Sequence, residues 1–271
     1  MKINLIRLFK GRGIKLAMAI QLLAVSLYFI MIICGFLFGG FLDEVQSDIQ
    51  IESDSTGGNF ALQAVVMGLS FTFLTPIIIG ILGGSYICEY YKYKSYRNLE
   101  VGMRSKFLFC LSEFFSLIIF DIVLIIETMI VISIFGVISS SIGIDDGIMA
   151  IEFPLMFLLF FVCVFLAEIL DCATTLFCAK LLRRTGRSFI LFFFGTIIRY
   201  IASGVLSGMG YKLVSLLLTP TCFSLLSGDT PILMESKLDS ALLVTGIAIQ
   251  SIILVIFSFI LFNREKEGKE K

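Results

Sequence analysis

The sequence predicts an all-α membrane protein, a bundle of six transmembrane helices, and three observations support this fold class. Of the 271 residues, 58% are hydrophobic and only 15% are charged, and the mean hydropathy of +1.01 far exceeds that of an ordinary globular domain. Several apolar runs reach the roughly 20 residues that a helix needs to cross a hydrocarbon core about 30 Å thick. These runs are too long and unbroken for barrel strands, which alternate over about 10 residues. We place the spans near 16–42, 61–87, 107–138, 153–180, 188–207 and 240–262.

Basic residues concentrate on one side of the predicted bundle. Of the 21 Lys and Arg residues, 18 fall in four segments, while the opposite loops are mostly acidic. By the positive-inside rule, the basic side and both termini are cytoplasmic. We therefore expect a multi-pass protein of a bacterial inner (plasma) membrane. The four segments are an interfacial helix at 1–15, the loops 88–106 and 180–187, and the tail 263–271.

Two irregular features interrupt the apolar pattern. Between the fifth and sixth spans, the apolar stretch 213–226 has 14 residues with Pro220 in its middle, which is too short to cross. We therefore interpret 208–239 as a re-entrant or interfacial element on the outer side. Within span two, Pro76 is expected to kink the helix, and Gly80, Gly83 and Gly84 to loosen it.

The composition argues against enzymatic chemistry in this chain. The sequence contains no histidine, which excludes histidine-based zinc protease motifs and serine–histidine sites. It also lacks the phosphate-binding loop motif and any pair of cysteines with CxxC spacing. The seven cysteines fall mostly in spans, where we interpret them as small buried hydrophobic residues. We therefore expect no catalytic residue, metal or cofactor bound by this chain.

Six ionisable residues lie within the apolar runs. A charge at the centre of a lipid-facing helix costs about 2.5–3.5 kcal/mol, so the acids must face other helices or water, or be protonated. Arg199 is expected to pair with Glu168 or Asp171, because spans four and five are antiparallel neighbours and these residues lie at similar depth. Glu113, only seven residues after Lys106, is expected to reach the interface. The six residues are Glu113, Asp121, Glu127, Glu168, Asp171 and Arg199.

The cytoplasmic loop 88–106 carries more than a plain turn requires. Its tyrosines suit the head-group level of a membrane, and its five basic residues suit anionic lipid or a soluble partner. An ordered pattern also runs through it into span three. The pattern consists of Glu89, Tyr96, Arg97, Leu99, Gly102 and Arg104.

This pattern resembles the first cytoplasmic loop of ABC-2-type permeases, the membrane subunits of ATP-binding-cassette exporters. That loop typically has a glutamate at the end of span two, a short helix with a leucine, a glycine or proline, and an arginine before span three. Glu89, Leu99, Gly102 and Arg104 match these positions. The chain departs from the family at 94–95, where Lys-Ser replaces Gly-Thr, and at Met103, where Ser or Thr is common. The basic N-terminal segment, the six spans and the broken hairpin near Pro220 also fit the family.

The resemblance implies that residues 1–271 form one transmembrane permease domain, in which 88–106 couples to a separate nucleotide-binding ATPase subunit. ATP and Mg would be held by that subunit. A second permease subunit, identical or different, would pair with this one largely through spans one and five. The remaining expected partner is membrane lipid, with no nucleic acid. The cargo would be a hydrophobic or amphipathic peptide, lipid or drug that moves outward.

Two other interpretations remain open from the residues. The acids Asp121, Glu127, Glu168 and Asp171 could serve an ion-gradient-driven carrier, or they could be structural pairs that fix packing. Such a carrier is expected to show repeated halves, and the sequence contains no internal repeat. A membrane-embedded immunity or scaffold protein that transports nothing is the second alternative.

Overall fold

The computed structural model describes residues 12–39, 66, 70–92, 106–141, 154–211 and 237–263. Within these ranges the chain is helical and contains no strand, which confirms the predicted all-α class. We number the helices α1 (Arg12–Gly39), α2 (Ser70–Lys92), α3 (Lys106–Ser141), α4 (Pro154–Leu182), α5 (Thr185–Gly208) and α6 (Lys237–Asn263). Helix α2 consists of the consecutive pieces Ser70–Leu74, Thr75–Ile78, Ile79–Gly83 and Gly84–Lys92.

In the described part of the chain, four helices are long and apolar enough to cross a membrane. They contain the stretches Ile14–Met31, Lys106–Ile138, Thr185–Leu206 and Val244–Phe262. Large apolar side chains such as Met31, Ile130, Ile198 and Ile252 are exposed along them. Such helices are compatible with a multi-pass membrane protein, where lipid covers these side chains.

Helix α4 lies at the centre of the described bundle, where it contacts α2, α3, α5 and α6. Several of its buried positions hold small side chains, among them Cys172, Ala173 and Ala179. Small side chains let neighbouring helix backbones approach closely in membranes. A turn of two residues, 183–184, joins α4 to α5, so the two helices are antiparallel neighbours, as predicted.

The charged residues define one end of the bundle. We call the end where Lys92, Lys106, Arg183, Arg184 and Arg187 lie the basic end. It contains the last turn of α2, the first turn of α3 and the turn between α4 and α5.

A buried glutamine connects α1 to α2 and α3. Gln21 is completely buried, and its side-chain nitrogen lies 2.5 Å from Thr128 Oγ1, 3.3 Å from the Leu124 carbonyl and 3.5 Å from Thr75 Oγ1. Because a backbone carbonyl only accepts hydrogen bonds, the amide nitrogen must face Leu124. An amide in an apolar bundle is costly unless it is hydrogen-bonded, so this contact fixes how α1 packs. The sequence pattern does not predict this contact.

Helix α2 is irregular around Pro76. Wide π-helical turns, Ser70–Leu74 and Ile79–Gly83, lie on both sides of the piece that contains Pro76. Proline has no N–H to donate and its ring clashes with the carbonyl four residues earlier, and a wider turn relieves both problems. The Thr75 hydroxyl donates to the Ser70 carbonyl at 3.2 Å, which satisfies that oxygen. The expected loosening of span two thus takes the form of two π-helical turns.

Glycines of α2 allow close contact with neighbouring helices. A Cβ on Gly80 would lie 2.6 Å from a ring carbon of the buried Phe192 of α5. A Cβ on Gly83 would lie 2.9 Å from Leu117 of α3 and 3.3 Å from Thr175 of α4. Since Leu117 and Thr175 both meet Gly83, they lie at the same depth in the bundle.

The described cysteines are free thiols. Cys88, Cys110, Cys172 and Cys178 are buried, as the sequence analysis expected, whereas Cys34 is exposed. Cys163 and Cys222 have no described side chains.

Several predicted segments lie outside the described residues. They are most of the interfacial helix at 1–15, the loop 93–105, nearly all of the outer element 208–239 with Pro220, and the tail after residue 263.

Replacing Gly80 with alanine tests the contact between α2 and α5. We expect Gly80→Ala to lower the melting temperature of the purified protein in detergent, because overpacking a filled site costs about 1–3 kcal/mol. The control is Gly195→Ala in α5, where nothing lies within 4 Å of an added Cβ. That change should leave stability unchanged or raise it, since alanine favours helix over glycine by about 1 kcal/mol. Equal melting temperatures for the two variants would contradict the contact.

Candidate functional site

Two groups of charged side chains lie inside the described part of the bundle, and the first contains the ion pair between α4 and α5. Arg199 Nη2 lies 2.5 Å from Asp171 Oδ1, and it also contacts the Thr196 hydroxyl at 3.2 Å. The pairing of Arg199 with one of the two acids predicted from depth is confirmed, and the partner is Asp171. The pair is not sealed within the chain, because 22% of the Arg199 side chain and 14% of the Asp171 side chain remain exposed.

Asp121 and Glu168 lie in the same region and are more completely buried than this ion pair. Asp121 of α3 is completely buried and Glu168 of α4 is 1% exposed, so both face other helices, as expected for acids within spans. Neither carboxyl group has a hydrogen-bond partner among the described residues. Both lie near enough to Asp171 for their charges to interact. The three acids therefore form one cluster, which we call the acidic cluster.

The acidic cluster limits the chemistry that this region can perform. Buried carboxyl groups without partners can hold protons or exchange them, since burial of the charged form is costly. No group of three or more metal-ligating side chains with the right arrangement occurs in the described ranges. Glu127, the fourth acid of the predicted set, is partly exposed and lies six residues after Asp121 in the middle part of α3.

The second group contains a buried ion pair that the sequence pattern does not predict. Lys180 Nζ of α4 lies 2.5 Å from Glu113 Oε2 of α3, and the two side chains are 1% and 0% exposed. Glu113 points into the bundle and not to the interface, so that prediction is wrong. Lys180, predicted at the boundary between span four and the loop 180–187, lies inside α4, which continues to Leu182.

Aromatic rings surround the Lys180 ammonium. The ammonium lies 4.6 Å from the ring centre of Phe262, 5.3 Å from that of Phe109 and 5.6 Å from that of Tyr91. Ring faces attract cations, and this attraction is stronger where water is excluded. Glu113 and the three rings together compensate for taking the ammonium out of water. The contact joins α2, α3, α4 and α6 at the basic end, and we call it the Lys180 cage.

A signal for the Lys180 cage did exist in the sequence. Lys180 lies on the same helical face as Glu168, Cys172 and Leu176, because these positions follow one another at four-residue steps. A helix that continues past 180 therefore turns Lys180 inward with its buried neighbours. The nearby Arg183, Arg184 and Arg187 made a loop the simpler interpretation.

The predicted coupling residues are only partly described. Glu89 lies in the last turn of α2 and is partly exposed, at the edge of a cavity that Tyr91, Arg183 and Arg184 also line. The other predicted coupling residues lie outside the described ranges. They are Tyr96, Arg97, Leu99, Gly102 and Arg104.

Comparisons with protein-family models, with curated proteins and with solved structures find no match to this chain.

Exchanging the charges of Asp171 and Arg199 tests the ion pair. We expect each single reversal, Asp171→Arg or Arg199→Asp, to lower the yield of folded protein strongly, because an unpaired charge in this setting costs on the order of 3 kcal/mol. The double variant should recover much of that yield, as judged by size-exclusion chromatography in detergent. Glu127→Gln serves as a control that removes an acid outside the pair. A double variant no better than the worse single reversal would contradict the pairing.

Proposed function

We propose that the chain is the permease subunit of an ATP-binding-cassette exporter of the ABC-2 type. The ordered pattern from Glu89 through Leu99 and Gly102 to Arg104, between α2 and α3, carries this proposal. In this proposal α2 and α4 join the four helices α1, α3, α5 and α6 as membrane spans, which makes six. The basic end then faces the cytoplasm, because basic residues are retained on that side.

The position of Glu89 supports a coupling role for the segment that follows it. Glu89 lies one turn before Lys92, where the described part of α2 ends. Two residues further along, the Tyr91 ring contacts Lys180 of α4 at 5.6 Å and Arg183 at 5.4 Å. A displacement of 88–106 by an ATPase subunit would therefore reach α4 directly at the end of α2. It would also reach α3 and α6, through Glu113 and Phe262 of the Lys180 cage.

The outer surface of α5 supports pairing with a second permease subunit. Much of this helix is exposed, including Phe194, Ile198 and Ile201, and nothing lies within 4 Å of a Cβ built on Gly204. The partly exposed Arg199 and Asp171 lie in the same helix pair. A charged pair that faces lipid at this depth is costly, whereas a second protein subunit can cover it and hydrogen-bond to it.

In the proposed mechanism, ATP with Mg binds and is hydrolysed on separate subunits. Their closure displaces segment 88–106, and α2, α3, α4 and α6 move together because the Lys180 cage connects these four helices at the basic end. Two permease subunits then separate or close along their shared interface, which opens a path outward. A hydrophobic or amphipathic cargo, such as a peptide, lipid or drug, suits the apolar surfaces available.

The acidic cluster favours a second candidate function, a carrier driven by an ion gradient. Asp121 and Glu168 are buried with no hydrogen-bond partner among the described residues, as expected for groups that take up and release protons. An ATP-driven exporter does not need such groups for energy. The two candidates therefore differ in whether an ATPase or a proton gradient drives transport.

Replacing Glu89 and Arg104 tests the coupling proposal. We expect Glu89→Ala and Arg104→Ala to insert normally and to retain the ATPase subunit in mild detergent. Efflux of a fluorescent amphipathic probe per ATP hydrolysed by reconstituted vesicles should fall at least severalfold, because the segment no longer transmits motion. Arg187→Ala, a change to an exposed arginine in the first turn of α5, should keep the wild-type ratio.

Unchanged ratios in both coupling variants would contradict a role for this segment. Transport that proceeds without ATP and stops when a proton gradient is collapsed would favour the carrier. In that case Asp121→Asn and Glu168→Gln, not the coupling variants, should abolish it.

A further inference from the structure

A cavity of about 470 Å³ opens at the basic end, between the last turns of α2 and the turn that joins α4 to α5. Its volume falls within the roughly 300–1,000 Å³ that small-ligand sites occupy. Neither the coupling proposal nor the acidic cluster accounts for it. Its lining includes Ser85, Glu89, Tyr91, Arg183, Arg184 and Thr185.

The charges of the lining favour an anion. Arg183 and Arg184 contribute two guanidinium groups against the one carboxylate of Glu89, so the lining carries a net positive charge. A guanidinium presents several N–H donors in a flat fork that matches the oxygens of a phosphate. The hydroxyls of Ser85 and Thr185 add two further groups that can donate to phosphate oxygens.

The backbone at Arg183 shows that an arginine occupies a place where glycine is the usual residue. Arg183 follows the end of α4 with a positive φ of 56°, a conformation that costs a residue with a side chain roughly 1–2 kcal/mol. Its guanidinium carbon lies 5.4 Å from the centre of the Tyr91 ring, at the edge of the cavity. The side chain is therefore held at the cavity by a contact that glycine could not make.

Exposed apolar side chains on the helices that line the cavity favour a lipid over a soluble phosphate compound. Leu181, two residues before Arg183, is exposed, and so are Ile190 and Leu191 in the second turn of α5. These apolar side chains belong to a helix pair that includes the membrane-spanning stretch Thr185–Leu206. A ligand with a phosphate at Arg183 and Arg184 thus has exposed apolar side chains within about two helical turns along the same helices for its acyl chains. Basic pockets between membrane helices are known to bind phospholipid head groups in this way.

We propose that this cavity binds the phosphate of an anionic phospholipid head group. The proposal requires only that the helices span a membrane, and it holds whether or not the chain is part of an exporter. A bound lipid would connect the last described turn of α2 to the α4–α5 turn.

The test is lipid retention by the purified full-length chain, measured by native mass spectrometry after equal exposure to phosphatidylglycerol and phosphatidylcholine with the same acyl chains. We expect the protein to retain phosphatidylglycerol preferentially. Arg184→Gln should reduce that preference about tenfold, which is typical for the loss of a hydrogen bond to a charged group. Arg187→Gln, the matched control, removes an exposed arginine that does not line the cavity and should retain the preference.

Arg183→Gly separates binding from folding. Glycine is the favoured residue at this positive φ, so this variant should melt no lower than the wild type while it loses most of the preference for phosphatidylglycerol. Equal retention of the two lipids by the wild type would overturn the proposal, as would an equal loss in Arg187→Gln. Displacement of the lipid by millimolar inorganic phosphate would overturn the assignment to lipid, because a free phosphate compound would then be the better occupant.

Discussion

Most of this structure depends on one constraint, the high free-energy cost of placing a charge in a helical bundle that excludes water. The Lys180 ammonium is the clearest case, since it lies at the junction of four helices with 1% of its side chain exposed. Glu113 neutralises it, and the rings of Tyr91, Phe109 and Phe262 surround it. Removing one partner from such a pair leaves a buried charge with nothing to compensate it, so the four helices must keep their relative positions.

Helix α4 carries the charges that fix its neighbours at two depths. Lys180 binds Glu113 of α3 near the basic end, and Asp171 binds Arg199 of α5 about 13 Å deeper along the helix axis. The first pair is sealed within the chain and the second is partly exposed. This difference in exposure gives the two ion pairs different structural roles. The Lys180 cage holds helices of this chain together, whereas the Arg199 pair leaves polar surface that a second subunit would cover in the proposed exporter.

The helices are predictable from the sequence because an apolar run of about 20 residues has the length of a membrane-crossing helix. The pairing of α4 with α5 and the Arg199 contact also followed, since a two-residue turn forces antiparallel neighbours and depth can be counted at 1.5 Å per residue. The Lys180–Glu113 pair did not follow. A lysine close to three arginines looks like part of a basic loop, and only the continuation of α4 to Leu182 turns it inward. The Gln21 contact was also not predictable, because the sequence does not indicate which helices a single glutamine side chain will bind. Of the predicted coupling residues, Glu89 alone is described, and its partly exposed position is consistent with the proposed role.

The most direct test of this account is a double-mutant cycle between Lys180 and Glu113, with unfolding free energies measured by denaturant titration in mixed micelles. We expect Lys180→Met and Glu113→Gln each to destabilise the protein by on the order of 3 kcal/mol. The double variant should lose no more than the worse single variant, because neither charge is then left buried alone. Losses that simply add in the double variant would show that the two side chains act independently, and that the Lys180 cage does not hold the four helices together.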